Sequence, residues 1–159
     1  MAGKRQLATF TLDSFLFGID VGTVQEVLRF QPMTAVPLAP RMVGGLINLR
    51  GKIVAALDLR VRLGLPPRSV ERAPMNMVLR ADEGAVSLLV DTIGEVITVD
   101  DGGCETPPDT MSDTARAVID HVYKLPDGLL LALDWKTAIA QTPPGTGAGT
   151  TDANNGVSR

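Results

Sequence analysis

Histidine and cysteine each occur once in the 159 residues, as His121 and Cys104. One cysteine excludes an internal disulfide framework and gives no sign of export, so the expected compartment is the cytoplasm. A tetrahedral zinc site needs four ligands, usually Cys and His, which these two cannot supply. A Cys–His nucleophile pair would need a third group to orient the base, and none can be named. No apolar run approaches the roughly 18 residues of a membrane helix. The N-terminal MAGKRQLATF lacks the apolar core of a signal peptide, so no membrane insertion is expected. Fifteen basic against 18 acidic residues leave a net charge of −3. That balance lacks the concentrated basic face a nucleic-acid binder needs to neutralise phosphates. Arg60, Arg62, Arg68 and Arg72 do cluster, but without interleaved aromatic residues for stacking they read as a solvated loop.

The remaining catalytic patterns are incomplete. His121 lies in the strand-like run AVIDHVYKL, whereas a phosphoacceptor histidine normally sits on an exposed helix face. Asp91-Thr92-Ile93-Gly94 carries an isoleucine inside the Asp-Thr-Gly triplet of aspartic proteases, and such a site needs two aspartates sharing a proton. Gly44, Gly45 and Gly51 lack a Gly-Lys-Ser/Thr ending and lead into a strand rather than a helix N-terminus. No catalytic residue, metal ligand or cofactor is therefore expected.

Apolar residues make up 45% of the chain, enough for one ordinary domain or two very small ones without metal or disulfide. Short apolar runs recur between turn signals, the mark of strands. In Gln6–Leu12 a period of two puts Ala8, Phe10 and Leu12 on one face and Leu7, Thr9 and Thr11 on a more polar one. Phe15–Ile19 completes a hairpin with it. Ile47–Leu49 and Lys52–Leu57 flank Arg50-Gly51, where glycine supplies the positive φ of a tight turn. Met75–Ala81 and Ala85–Val90 flank Asp82-Glu83-Gly84, and Ala117–Leu125 and Leu129–Leu133 flank Pro126-Asp127-Gly128. Four hairpins favour barrels or a sandwich over an α/β fold. Two short helices are expected. Asp20–Leu28 would have Asp20 as N-cap and Val21, Val24 and Leu28 on one face. Asp134–Ala140 would turn Trp135, Ala138 and Ile139 inward. The stretch 66–75 reads as a loop between two halves of similar size. Residues 141–159, rich in Gly, Thr, Pro and Asn, read as a disordered tail after a folded part of residues 5–140. The expectation is an all-β protein of two small barrels packed together.

One segment carries a recognisable pattern: Gly45-Leu46-Ile47-Asn48-Leu49-Arg50-Gly51-Lys52-Ile53-Val54, then Leu57-Asp58-Leu59-Arg60. It resembles the G-x-x-N-L-R-G-x-x-x-P-x-x-D-L-R signature of CheW-like domains. Further segments fall in the family's order: Ile19-Asp20 through Val24-Gln25-Glu26-Val27, and Val36-Pro37 through Pro40. Leu88-Leu89-Val90-Asp91 with Ile93-Gly94-Glu95-Val96, and Asp127-Gly128-Leu129 through Leu133-Asp134, continue it. The resemblance spans about residues 5–140. It implies two five-stranded, SH3-like barrels with no catalytic activity. It also implies binding to the cytoplasmic tip of a chemoreceptor and to the regulatory domain of the histidine kinase CheA, recruited to membrane-bound receptor arrays. The protein alone is expected to be a monomer.

By that resemblance, Val24, Glu26, Gly45, Arg50, Ile93 and Val96 match receptor-facing positions. Each has a plainer reading. Arg50 at its hairpin tip could be solvated or paired with Glu26 or Asp58, since an unpaired buried guanidinium is costly. Val24, Ile93 and Val96 could be core, and Gly45 could serve close backbone approach. The kinase contact falls on Cys104–Met111, with Glu105 and Thr110 where the family usually has a basic and an aromatic residue. Ala55 replaces the usual proline of the signature, a modest change in stability. The same coupling role in a pathway steering pili, gliding or gene regulation is an alternative. A small-molecule-binding barrel and an aspartyl hydrolase dimerised around Asp91 are others.

Overall fold

The computed structural model describes residues 3–82, 84–100 and 105–140. Cys104 and the expected tail, 141–159, lie outside the described residues. The order of elements is β1 (Lys4–Leu12), β2 (Phe15–Asp20), β3 (Val24–Leu28), β4 (Val43–Leu49), β5 (Lys52–Asp58), α1 (Leu59–Arg62), β6 (Met75–Ala81), β7 (Gly84–Val90), β8 (Thr92–Asp100), α2 (Asp113–Arg116), β9 (Ile119–Leu125), β10 (Gly128–Leu133) and α3 (Trp135–Ala140). All four expected hairpins are present, as β1–β2, β4–β5, β6–β7 and β9–β10.

The strands form two five-stranded sheets, ordered β8-β1-β2-β10-β9 and β3-β6-β7-β5-β4. Each joins its hairpins through one parallel pair, β2 with β10 and β5 with β7. The second sheet is built from the continuous stretch β3 to β7, and the first closes around it from both ends of the chain. The stretch 66–75 is therefore a loop within the second sheet, between α1 and β6, and not a junction between halves.

Three apolar clusters account for the packing. The largest lies between the sheets and joins Phe10, Leu12 and Phe17 of the first to Met77, Leu79, Leu88 and Val90 of the second. A second, with Leu7, Val99, Tyr123 and Leu130, draws only on the first sheet, and a third, with Ile47, Val54, Ala56 and Leu89, on the other. Each sheet therefore buries apolar residues on both faces, some against the other sheet and some among its own strands, as small barrels filled by their own side chains do. This also corrects the expected polarity of β1: Leu7 and Thr9 are fully buried, and the Thr9 hydroxyl donates to the Glu95 carbonyl at 2.6 Å.

The expected helix at Asp20–Leu28 is absent. A single 3-10 turn, Val21–Thr23, leads into strand β3, which pairs antiparallel with β6. Asp20 does not cap, because its carboxylate is held by Arg5 Nε and Nη2, each at 3.3 Å. Helical spacing of three apolar residues is outweighed by the ladder that β6 offers. α3 forms as expected, with Asp134 accepting from the Thr137 N–H and hydroxyl at 3.2 and 2.6 Å. Trp135 and Ala138 are buried, and Ile139 packs half-buried on the inter-sheet cluster.

Candidate protein-interaction site

Arg50 and Gly51 form the two-residue turn between β4 and β5, with φ of 54° and 86°. Left-handed backbone at both positions suits the twist of a hairpin, and Asn48 Oδ1 accepts from Gly51 N–H at 2.9 Å. A non-glycine residue costs about 1 kcal/mol in that conformation. The turn throws the Arg50 side chain across to β3, at the opposite edge of the same sheet. There Nη1 and Nη2 donate to the two Glu26 carboxylate oxygens, each at 2.6 Å. This fork-to-fork geometry lowers the Glu26 pKa and raises that of Arg50, chiefly through the hydrogen bonds themselves. The pair ties the two sheet edges together. Arg50 nevertheless remains 68% exposed, against 20% for Glu26, so the cation is both paired and presented. It walls an open cleft of about 770 Å³ that Gln25, Leu49, Lys52, Ile53 and Arg80 also line. The other partner considered for Arg50, Asp58, instead faces Arg68 at 3.7 Å.

Gly45 lies in β4 where the register with β5 shifts. A Cβ there would stand 2.8 Å from Met33 Cβ and 2.9 Å from the Thr34 carbonyl oxygen. Glycine thus lets the 33–34 segment lie against β4, where Thr34 and Leu46 exchange backbone hydrogen bonds at 2.8 Å. Val24 of β3 and Ile93 of β8 are half-buried and reach the inter-sheet cluster from opposite sheets. Val96 faces outward from β8 and is 51% exposed. The structure thus brings Glu26 and Arg50 into contact and sets Val24 and Ile93 on a shared core. Glu105 and Thr110 stand apart in the segment before α2. The Glu105 N–H donates to Val122 O at 2.9 Å, and both side chains are exposed.

The basic cluster is not a solvated loop. Arg60 donates to both Asp91 oxygens, Nε at 2.9 Å and Nη2 at 2.5 Å, and Arg68 Nε donates to Asp91 Oδ1 at 2.9 Å. The Asp13 N–H adds a fourth bond at 2.8 Å. Arg62 is buried, with Nε on the Ala138 carbonyl, and only Arg72 of the four is exposed in the way expected. Asp91 is the single residue between β7 and β8, where the chain changes sheet. Burial pushes its pKa up, but the bonds from Arg60, Asp13 and Arg68 outweigh this and hold it at about 2. Asp91 is therefore an inter-sheet anchor, not half of a proteolytic dyad. Asp58, which caps α1 by accepting from Arg60 N–H at 3.0 Å, was the available sequence signal for this network. His121 sits in β9, half exposed, stacked on Tyr123 with ring centroids 5.8 Å apart. Among the described residues no cluster of three or more His, Cys, Asp or Glu could hold a metal ion, and no helix is long and apolar enough to cross a membrane.

Two packed five-stranded sheets carry these residues, with Glu26–Arg50 and the Asp91 network as their best-defined ion pairs. The family model described as CheW-like domain matches residues 6–142. Relatives include the chemotaxis protein CheW of Rhizobium meliloti, 32% identical over 82% of this chain and 84% of that protein. The probable chemotaxis protein CheW of Rhizobium etli is 27% identical over 88% of this chain and 90% of its own length. The crystal structure of the scaffolding protein TtCheW from Thermoanaerobacter tengcongensis superposes with a TM-score of 0.70, at 29% identity, covering 82% of this chain and 84% of that one. The chain belongs to the CheW-like family, and it is a non-enzymatic scaffold.

Proposed function

We propose that this chain is a coupling adaptor in bacterial chemotaxis, joining the cytoplasmic tip of a chemoreceptor to the regulatory domain of the kinase CheA. The observation that carries the reading is the family match across residues 6–142, which spans both sheets rather than one. Residues 5–140 act as one CheW-like domain, cytoplasmic and recruited to receptor arrays, monomeric before recruitment. The receptor-facing surface comprises Val24, Glu26, Gly45, Arg50, Ile93 and Val96, with Arg50 as its exposed cation. The Glu26 pair supports that role, because a guanidinium held by one carboxylate loses less side-chain entropy when a partner docks on its free edge. Glu105 and Thr110 contribute to the kinase contact.

Arg50→Glu tests the receptor surface. It places two carboxylates together at an exposed turn, so the fold should survive with a thermal midpoint within a few degrees of wild type. Binding to a receptor cytoplasmic fragment, measured by calorimetry, should fall at least tenfold while kinase binding is retained. An unchanged receptor affinity in a folded variant would remove Arg50 from the surface.

A further inference from the structure

Residues Phe30 to Pro40 form an uncharged run bounded by Arg29 and Arg41. Within it Val36, Pro37, Leu38 and Ala39 make a turn closed by Ala39 N–H on the Val36 carbonyl at 3.2 Å. Proline second and a positive φ third is the pattern that calls for glycine in third place. Here that residue is Leu38, with φ of 66° and complete exposure. The side chain therefore crowds its own backbone and gains no packing in return. Loops that carry such strain are informative only if they are held, and this one is. Its base is fixed by the paired bonds between Thr34 and Leu46 and by Val43 N–H on Pro40 O at 2.9 Å. Pro37 and Pro40 stiffen it further. Val36, 37% exposed, widens the apolar tip. Arg29 and Arg41 are exposed and have no carboxylate partner among the described residues.

We propose that the Val36–Ala39 turn is a docking knob, with Leu38 as anchor, for a folded protein partner whose apolar pocket is edged by carboxylates. A rigid apolar tip loses little freedom on binding, as an interface anchor requires. The two arginines that bound the run in sequence, without a carboxylate partner among the described residues, call for acidic groups around the pocket. A lipid surface fits less well, because one leucine and one valine bury far less than the acyl chain needed for even marginal membrane attachment. This contact is additional to the receptor-facing and kinase-facing residues above, and only the choice of probes rests on the coupling reading.

The test uses the full chain with two probes, a receptor cytoplasmic fragment and a CheA regulatory domain, by calorimetry. Leu38→Gly removes the anchor and relieves the backbone, so its thermal midpoint should not fall below wild type. It should weaken one of the two complexes at least tenfold, and Arg29→Glu with Arg41→Glu should weaken the same one. Affinities for both probes within twofold of wild type, while Arg50→Glu still loses the receptor, would overturn the knob and leave the coupling reading standing. Failure of the wild-type protein to bind either probe would end both. Leu38-dependent binding to phosphatidylglycerol vesicles, or Leu38-dependent self-association in sedimentation, would overturn the protein partner in favour of a lipid surface or a second copy.

Discussion

Asp91→Asn removes one charge from the point where the chain passes between sheets, and its cost can be worked from the geometry. The Asp91 side chain is 9% exposed and those of Arg60 and Arg68 are 12% and 10% exposed. Asparagine keeps one acceptor oxygen but turns an amide donor towards guanidinium donors. Arg60 retains the Pro66 carbonyl at 2.7 Å and Arg68 retains Asp58 at 3.7 Å, so neither cation is wholly abandoned. Breaking a buried ion pair on one side costs about 3–5 kcal/mol, and these remaining partners place the expectation near the lower end, about 3 kcal/mol. At roughly 3 °C per kcal/mol for a domain of this size, the thermal midpoint should fall by about 10 °C. Urea unfolding followed by circular dichroism should show a lower midpoint with an unchanged slope. The pH dependence follows from the same group. A folded-state pKa of about 2, below the unfolded carboxylate value near 3.9, stabilises the fold fully above about pH 4. That contribution, on the order of 2 kcal/mol, is lost as the pH falls from about 4 towards 2. The Asn variant should lack this segment of the acid transition. A stability within about 1 kcal/mol of wild type at pH 7, measured on the scale of such pairs, would refute the reasoning.

Other substitutions report on the close approaches. Gly45→Val sets a side chain 2.8 Å from Met33 Cβ and should cost about 1–3 kcal/mol in urea melts as the 33–34 segment is pushed off β4. Gly94→Ala places a Cβ 2.5 Å from Thr9 Oγ1, so it should cost about 1–2 kcal/mol by breaking the buried bond to Glu95 O. Exchanging the charges, with Glu26→Arg and Arg50→Glu together, should restore the edge-to-edge pair and the stability lost in either single variant. Receptor affinity, measured on the same samples, should stay low because the exposed charge is reversed.

The hairpins were legible because their turns need particular residues, as Arg50-Gly51 and Asp127-Gly128 show. β3 was misread because Val21, Val24 and Leu28 satisfy a helical spacing, and only pairing with β6 reveals the alternation that puts Gln25 and Val27 outside. Sheet membership was illegible for a different reason. The pairing of Leu130 with Leu16 spans most of the chain, and no local pattern encodes it. The arginine cluster was misjudged because its main counter-charge, Asp91, arrives from another element, the link between β7 and β8. Of the site residues, Glu26 and Arg50 had been considered as a pair and are one. Leu38 gave no signal at all, since a leucine between prolines looks ordinary until its φ and exposure are known.

The central claim is that this chain couples a kinase to a receptor, and co-elution with the regulatory domain of a CheA kinase from the same genome tests it most directly. The account predicts a one-to-one complex on size exclusion at micromolar concentrations, joined by a receptor fragment when one is added. No complex, from protein shown to be folded by circular dichroism, would contradict it.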